Sequence, residues 1–562
     1  MSAIAKIKQQ RIRESAEFYG TGSTEPAPFR GSGYEGAERR HRETVAWNPS
    51  FASPDQEINL VKPLADARMR DMTQNDGYAA GAVNIHKDSI VGACYRLNAK
   101  PNWRVLGAPE GWAEEFQQVV EARFGLLAES DACWLDAARR LPFTEMVRLA
   151  VGIFFGAGEV LGTAEWIKND RRRPVKTAIQ MVSPTRLSNP NGVMDSRTLR
   201  NGVEIDMNGR PTWYNIRRAY PTEFYTDDLA LQWARVPAET TWGRRQVIHI
   251  VEQRLPGQNR GISEVTSALK QFRMTKQFQE ITLQNAVINA SYAASVESEL
   301  PPDSVLAMMG GGAGMKDSQG NWLNAIGAYM SALNQYMSSA QNIKIDGAQV
   351  PHLFPGTKLA MKPMGTPGGV GTQFEESLLR YIAAALGLSY EEFARDFTKT
   401  NYSSARAAMA NTWKFMLSRK KIVADRFASM VFALVLEEEL ANGNVPLWRG
   451  ASRDIFYQPL MKEAFCECDW IGASRGQIDE LKETEAAILR IKSGLSTYEI
   501  ECSRLGTDFR DLFDQIAREQ GIIKKKGLVL DNAATPKQDL AQTNKGGSGS
   551  SVESASNSTQ DA

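Results

Sequence analysis

The stretch from Gln373 to Leu440 constrains the fold more than any other part of the 562 residues. In QFEESLLRYIAAALGLSYEEFARDF, Phe374, Leu378, Ile382 and Leu386 recur at intervals of four, a narrow apolar stripe on a helix ending near Gly387. So narrow a stripe needs neighbours on the other faces. Ser389 followed by Glu392 predicts a capping box that restarts the helix, and the polar TKTNYSSA then breaks it. From Ala405 to Leu440 the text is helix-forming without interruption, a rod of about 54 Å at 1.5 Å per residue. Few single globular domains require such a rod.

The chain is too long for one core and implies two to four structural units. Lys and Arg total 66 against 65 Asp and Glu, so a net charge of +1 gives no global field to hold nucleic acid or an anionic membrane. A sequence-reading DNA-binding protein is therefore disfavoured. Cys94, Cys133, Cys466, Cys468 and Cys502 are few, odd in number and scattered, which suits free thiols in a reducing cytosol. The longest apolar run, Leu149 to Ala157, is far short of the ~20 residues that cross a bilayer. MSAIAKIKQQRIRES is basic without an apolar core and does not read as a secretory signal.

In chain order, residues 1–46 read as an arm rich in Gly, Ser, Glu and Arg that is mobile or ordered only by a neighbour. Asp66 to Ile90 reads as one helix with Ala67, Met69, Tyr78, Ala82, Ile85 and Ile90 inward. From Gly92 to Gln253 strand-like segments dominate, interrupted by an amphipathic helix from Trp112 to Leu127 with Phe116, Val120 and Phe124 four apart. Asn208-Gly209 within VEIDMNGRPTWYNI predicts a tight hairpin, and Gln246 to Glu252 a buried strand. This is an α+β region.

Gly261 to Tyr292 is helical again, its stripe begun by Val265, Leu269 and Phe272 and soon crowded by Gln, Thr and Asn. Such a helix is expected to pack against copies of itself. Pro301-Pro302 ends it, and an island follows with GGGAG at 310–314, a helix from Trp322 to Tyr336, a strand-like Asn342 to Leu353 and GTPGGVG at 365–371. Beyond the long rod, helices are expected from Gly476 to Gly494, with Ile478, Leu481, Ala486 and Leu489 inward, and from Thr497 to Glu519. The text after Gly527 reads as a disordered tail.

Enzymatic chemistry finds little footing. Gly472-Ala-Ser474-Arg-Gly476 matches the G-x-S-x-G elbow, but that hydrolase order needs a later histidine, and the last of four is His352. Cys466 and Cys468 lack the further ligands zinc wants, and His41, His86, His249 and His352 show no ligand spacing. GGGAGMKD lacks the Gly-Lys-Ser/Thr ending of a phosphate-binding loop. Glu437, Glu438 and Glu439 read as a solvated helix end. No catalytic residue, metal or cofactor is expected.

The wording SLLRYIAAALGLSYEEFARD followed by NYSSARAAMANTW resembles the portal proteins of lambda-like tailed bacteriophages. The likeness extends to NDGYAAGAVNIHKDSIVG, MVSPTRLSNP and CDWIGASRG, and covers most of the chain between about Trp47 and Asp511. It implies an α+β portal fold: a wing at 47–260, a first stem helix at 261–294, a clip at 295–371, a second stem helix at 372–397, a tunnel loop at 398–404, a long kinked wing helix and wing return at 405–470, and a helical crown at 471–526. By the same resemblance Thr398, Lys399, Thr400, Asn401 and Tyr402 project into a DNA channel whose wall carries Glu375, Glu376 and Arg380. On spacing alone 398–404 is equally a connector between helices. The wall is acidic, with Glu375, Glu376, Glu391, Glu392 and Asp396 against Arg380 and Arg395, which guides duplex DNA without gripping it and fits an ordinary charged helix equally well.

The implied assembly is a dodecameric homo-oligomer at one capsid vertex of a tailed phage or prophage, built in the host cytoplasm and carried in the virion. Its expected partners are double-stranded DNA, the terminase large subunit, a head–tail connector protein, and the major capsid and scaffold proteins, with no membrane. Two alternatives stand: a cytosolic hydrolase using Ser474, and a generic structural or scaffolding protein.

Overall fold

Residues 46–49, 51–223, 227–292, 343–345, 348–350, 370–476 and 479–528 are described by a computed structural model of the chain. Most of the arm and clip, the tail, His41, His352 and Ile478 lie outside them. The chain divides into two units, Met1–Gly472 and Ala473–Ala562.

The first unit opens with α1 (Pro54–Asn75), started by Pro54 at its first position and by a capping box in which Ser53 and Gln56 exchange hydrogen bonds. α1 does not run on to Ile90 as its text suggests. Asp76 adopts extended backbone (φ −125°, ψ 122°), ends α1, and its carboxylate accepts from the Ala79 N–H to begin α2 (Gly77–Ile90). Ala67, two residues from the buried Met69 and so on the opposite side of α1, is exposed, whereas Ala82 and Ile90 of α2 are buried.

β1 (Arg96–Ala99) leads to α3 (Glu110–Ala128), where Phe116, Val120 and Phe124 point into the core as their spacing predicts. The apolar run before Glu159 forms α4 (Phe143–Ala157). Among the described residues no helix is long and apolar enough to cross a membrane.

β2 (Glu159–Trp166) is the centre of a three-stranded antiparallel sheet between β3 (Thr177–Val182) and β8 (Val247–Val251). β4 (Leu199–Arg200), β5 (Val203–Ile205), β6 (Pro211–Arg217) and β7 (Trp233–Pro237) form a second sheet in that order. The β5–β6 hairpin turns at the Asn208-Gly209 pair, with Gly209 at φ +83°. Leu161, Val182, Val203, Tyr214, Ile216 and Val247 pack together as a small core of their own.

α5 (Leu269–Tyr292) follows one turn of 3₁₀ helix, Glu264–Ala268, so the regular helix begins later than Gly261. β9 (Ile343–Ile345) pairs antiparallel with β10 (Ala348–Val350) inside the strand-like stretch of the insert. α6 (Val370–Leu386) precedes a short helix, Tyr390–Ala394.

The long rod is real and starts earlier than Ala405. α7 (Tyr402–Arg419) passes through a π-helical segment, Lys420–Asp425, directly into α8 (Arg426–Asn442). The π turn inserts an extra residue, and three groups hold it: Asp425 is bonded to the Tyr95 hydroxyl, and Lys420 Nζ lies 2.7 Å from Asp425 Oδ1 and 2.8 Å from the Trp470 carbonyl oxygen. Beyond it Phe427, Val431, Phe432, Val435 and Leu436 are buried, so α8 is the central helix of the main core. β11 (Cys468–Ile471) returns to pair antiparallel with β1, and the strand therefore includes residue 471.

The three glutamates ending α8 are not solvated. Glu437, Glu438 and Glu439 are all buried. Glu437 meets Arg244 at 3.0 Å and the Tyr457 hydroxyl at 3.0 Å, Glu438 accepts from the backbone N–H groups of Lys176 and Thr177, and Glu439 meets Arg123 at 2.6 Å. Acidic side chains oppose the negative end of a helix dipole, and these partners supply the compensating charge and donors.

A second buried charge cluster ties the sheet to the start of α5. Glu159 is 0% and Arg260 1% exposed. Arg260 donates to Glu159 at 2.7 Å and to the carbonyl oxygens of Pro184, Leu187 and Asn201. Lys62 lies 3.2 Å from Glu159 and 3.1 Å from Asp66, while His249 Nε2 lies 3.2 Å from Glu159. Burial opposes the charge on Glu159, yet Arg260, then Lys62 and His249, hold its carboxyl well below the usual range. The approach is possible because a Cβ on Gly158 would stand 2.2 Å from the Ile262 backbone, and one on Gly261 2.1 Å from the Gly158 carbonyl oxygen.

The second unit contains α9 (Glu480–Lys492), α10 (Tyr498–Arg504) and α11 (Phe509–Lys526). Leu481 and Leu489, expected inward, are exposed, and α9 and α11 bury no residue. Its firmest contact is polar: Arg490 grips Glu501 with two bonds of 2.9 Å, and Arg504 adds a third at 2.9 Å.

Two outcomes follow from these charges. Arg260→Met, which strands Glu159, should lower urea-unfolding stability by about 3–5 kcal/mol. The Arg490 bonds, opposed by burial, bring the Glu501 carboxyl to about 2 from 4.5, so this stability is present above about pH 4.5 and is lost as pH falls toward 2. Arg490→Met should weaken hydrogen-exchange protection of α9–α11 at pH 7, with the difference from wild type closing at acid pH.

Candidate functional site

The site residues named from sequence lie on α6, on the connector between Arg395 and Asn401 and, for Tyr402, at the start of α7. α6 buries Leu379, Ile382, Ala383 and Leu386, a broader seam than intervals of four suggest. Phe374, the first residue of the expected stripe, is 47% exposed and only edges onto Phe278, at 5.7 Å between rings. The helix stops at Gly387 (φ +69°), whose face lies against the Phe415 ring.

Ser389 then caps the short helix Tyr390–Ala394 by accepting from the Glu392 N–H. Only half of the expected box forms. Glu392 turns its carboxylate to the hydroxyls of Ser389 and Thr412, and the Ser389 N–H donates to Thr412, because α7 runs alongside and offers that hydroxyl. Arg395, in left-handed backbone (φ 53°), ends the short helix and starts the connector.

Within the connector the Asp396 carboxylate accepts from the Thr398 N–H and hydroxyl. Thr400 donates to Glu391 at 3.4 Å. Asn401 is the N-cap of α7, accepting from the Ser404 N–H at 2.8 Å, and Tyr402 is the first residue of that helix. The loop is thus shorter than 398–404, since a good N-cap residue outweighs the polar Tyr402–Ser404 that follow.

Three of the named residues meet. Glu376 on α6 is paired with Lys399 of the connector and, one turn along the helix, with Arg380 at 3.1 Å. The bond from Lys399, then the charges of Lys399 and Arg380, lower the Glu376 carboxyl, and Glu376 raises Lys399 in turn. Arg380 also lies 5.1 Å over the Tyr390 ring. Glu375 is not part of this group; it accepts from Gln279 of α5 at 2.6 Å, joining the two helices. Gln279, Tyr390 and Thr412 carried no sequence signal, because their partners lie on other elements.

The arrangement is, among the described residues, a surface of paired charges and hydroxyls with no nucleophile beside a base. Among the described residues no group of His, Cys, Asp and Glu is placed to hold a metal. Ser474 is exposed, and its backbone is not in the strained left-handed region that a nucleophile elbow imposes. All five cysteines are free, with burial raising both Cys466 and Cys468. His86 is buried, its Nδ1 2.8 Å from the Ala82 carbonyl oxygen, and burial lowers its pKa.

Glu376→Gln releases Lys399 from its charged partner. Trypsin cleavage after Lys399 should then become about threefold faster, as read by mass spectrometry of the fragments.

Residues 40–420 match the family model described as phage portal protein, lambda family. The chain is 36% identical over 519 residues to portal protein B of Escherichia phage lambda, covering 92% of each. It is 37% identical over 531 residues to the portal protein of Escherichia phage N15, covering 94% of each. A chain in the virion of a native gene transfer agent particle overlays with a TM-score of 0.38 at 13% identity, covering 82% of this chain and 96% of that one. With a family model spanning more than half its length and two relatives matched almost end to end, the chain belongs to the lambda family of phage portal proteins.

Proposed function

We propose that the chain assembles as a closed ring of twelve copies at one capsid vertex, the channel through which double-stranded DNA enters during packaging and leaves at ejection. The observation that carries this reading beyond family membership is the unfinished surface of the two stem helices. On α5, Thr275 is still buried, but Ile281, Leu283 and Val287 are more than half exposed, Ile281 on the side opposite the one that Leu283 and Val287 share. On α6, Phe374 and Tyr381 are about half exposed. A helix apolar on several sides requires packing on several sides, and neighbouring copies around a ring supply it.

In this reading α6 and the Arg395–Asn401 connector face the channel. Lys399, neutralised by Glu376, presents phosphates with a pair rather than a free cation, and Glu375, Glu391 and Asp396 add charge that repels them. Weak contact of this kind lets a duplex slide, whereas a dense cationic lining exchanges counterions and holds it. The insert around β9 and β10 serves as the clip for the terminase large subunit and head–tail connector protein, and the wing meets the capsid and scaffold proteins. The protein is assembled in the host cytoplasm and remains in the virion.

Negative-stain microscopy and native mass spectrometry test the ring, with twelve subunits around a hole wide enough for a duplex as the expected result. Ile281→Asp with Leu283→Asp should shift the population to single copies while the helical circular-dichroism signal persists. Ser474→Ala should leave assembly unchanged. A single-copy species at all concentrations would refute the reading.

A further inference from the structure

The net charge of +1 conceals a local concentration of cations. The loop joining β2 to β3 reads KNDRRRPVK, with Lys168, Arg171, Arg172, Arg173 and Lys176 against Asp170 alone. Folding brings a second basic pair to it. The Leu135 carbonyl oxygen and the Ala137 N–H bond to Ile179 on the edge of β3, and Arg139, in left-handed backbone (φ 54°), reaches Asp170 at 3.2 Å. Arg139 therefore joins the loop, and the exposed Arg140 follows it in the chain.

That surface is built rather than loose. Arg173 is buried, donates to the carbonyl oxygens of Trp134 and Val175, and lies 6.0 Å from the Trp134 ring, whose other neighbour is Arg139 at 4.3 Å. The buried Asp136 accepts from the N–H groups of Ala138, Arg140 and Leu141. Glu438 fixes the loop's return by accepting from Lys176 and Thr177. With Arg173 spent as the staple, Arg140, Lys168, Arg171, Arg172 and Lys176 are left exposed. Asp170 is engaged by Arg139, and no carboxylate pairs with Arg140, Lys168, Arg171 or Arg172 among the described residues. Lys176 sits 5.8 Å over the exposed Trp166.

We propose that this surface of the wing binds the phosphate backbone of duplex DNA without reading its sequence, a contact additional to the channel. The proposal rests on the portal reading for the presence of DNA. Duplex DNA carries one charge per ~1.7 Å of axis, so several closely set cations engage at once. An acidic polypeptide spreads its carboxylates over ~3.3 Å per residue and on alternating sides, which a patch this dense matches poorly. Arginine suits phosphate further, because its planar fork donates two bonds to one group.

The test uses full-length protein and a covalently closed DNA minicircle, which cannot thread a closed ring and so reports only outside contacts. Binding is expected to weaken steeply with salt, with a log–log slope of about −4 to −5 for five phosphate contacts. Arg171→Glu with Arg172→Glu should lower minicircle affinity at least tenfold and reduce the slope by about 2. Arg140→Glu with Lys168→Glu should do the same, whereas Lys525→Glu with Lys526→Glu, an equal change in net charge, should not. Failure of the wild type to bind, equal loss in all three variants, or tighter binding of polyglutamate than of the minicircle would overturn the proposal. Native mass spectrometry of the same samples reports assembly separately, so a failed ring counts against the portal reading and absent minicircle binding against this one.

Discussion

The carboxylate of Glu159 is the point on which the first unit closes. It is the first residue of the central strand, it is fully buried, and Arg260, Lys62, His249 and the Gly261 N–H converge on it from α1, β8 and the segment entering α5. A buried charge of this kind adds little net stability over an apolar substitute, but removing one partner is costly, so it works mainly by excluding other arrangements. Arg260 extends the constraint by satisfying three loop carbonyl oxygens between Pro184 and Asn201. The segment entering α5 is fixed here by polar chemistry, beside the buried apolar Val265, Ala268 and Phe272.

The other end of the unit follows the same logic around the long helix. α8 lies inside the core and so cannot leave its terminal glutamates in water; each takes separate partners, and for all three these include groups from distant elements, Arg244, the Lys176 and Thr177 N–H groups, and Arg123. The π turn before α8 lets Asp425 reach Tyr95 and Lys420 while Val423 and Ala424 stay buried. A rod with its C-terminal half locked and its N-terminal half largely exposed passes from core to connector as one piece. That continuity connects the connector mechanically to the core of the first unit.

At the connector the chemistry is restrained. Thr398, Thr400 and Asn401 are each engaged in local hydrogen bonds, and Lys399 is neutralised by Glu376. A surface of this composition offers a polyanion little to hold. Among the described residues, exposed cations without a carboxylate partner, including Lys168, Arg171 and Arg172, cluster instead on the β2–β3 loop. Exposed apolar residues on α5 and across α9–α11 mark surfaces that a single copy leaves incomplete.

By itself the sequence determined the α+β class, the long helical rod, the amphipathic α3, the Asn208-Gly209 hairpin and the family, because each rests on local periodicity, turn chemistry or an extended run of wording. It also named Glu376, Arg380 and Lys399. It did not reveal that they meet, because Glu376 and Lys399 are 23 residues apart and only the turn at Gly387 brings them together. Tertiary structure alone decided the fate of Glu437–Glu439, which read as solvent-facing and are buried, and the alliance of Arg139 with the β2–β3 loop. The physical reason is common to both: a charge's local text fixes its position along the chain, whereas its burial and its partner depend on elements far away in sequence.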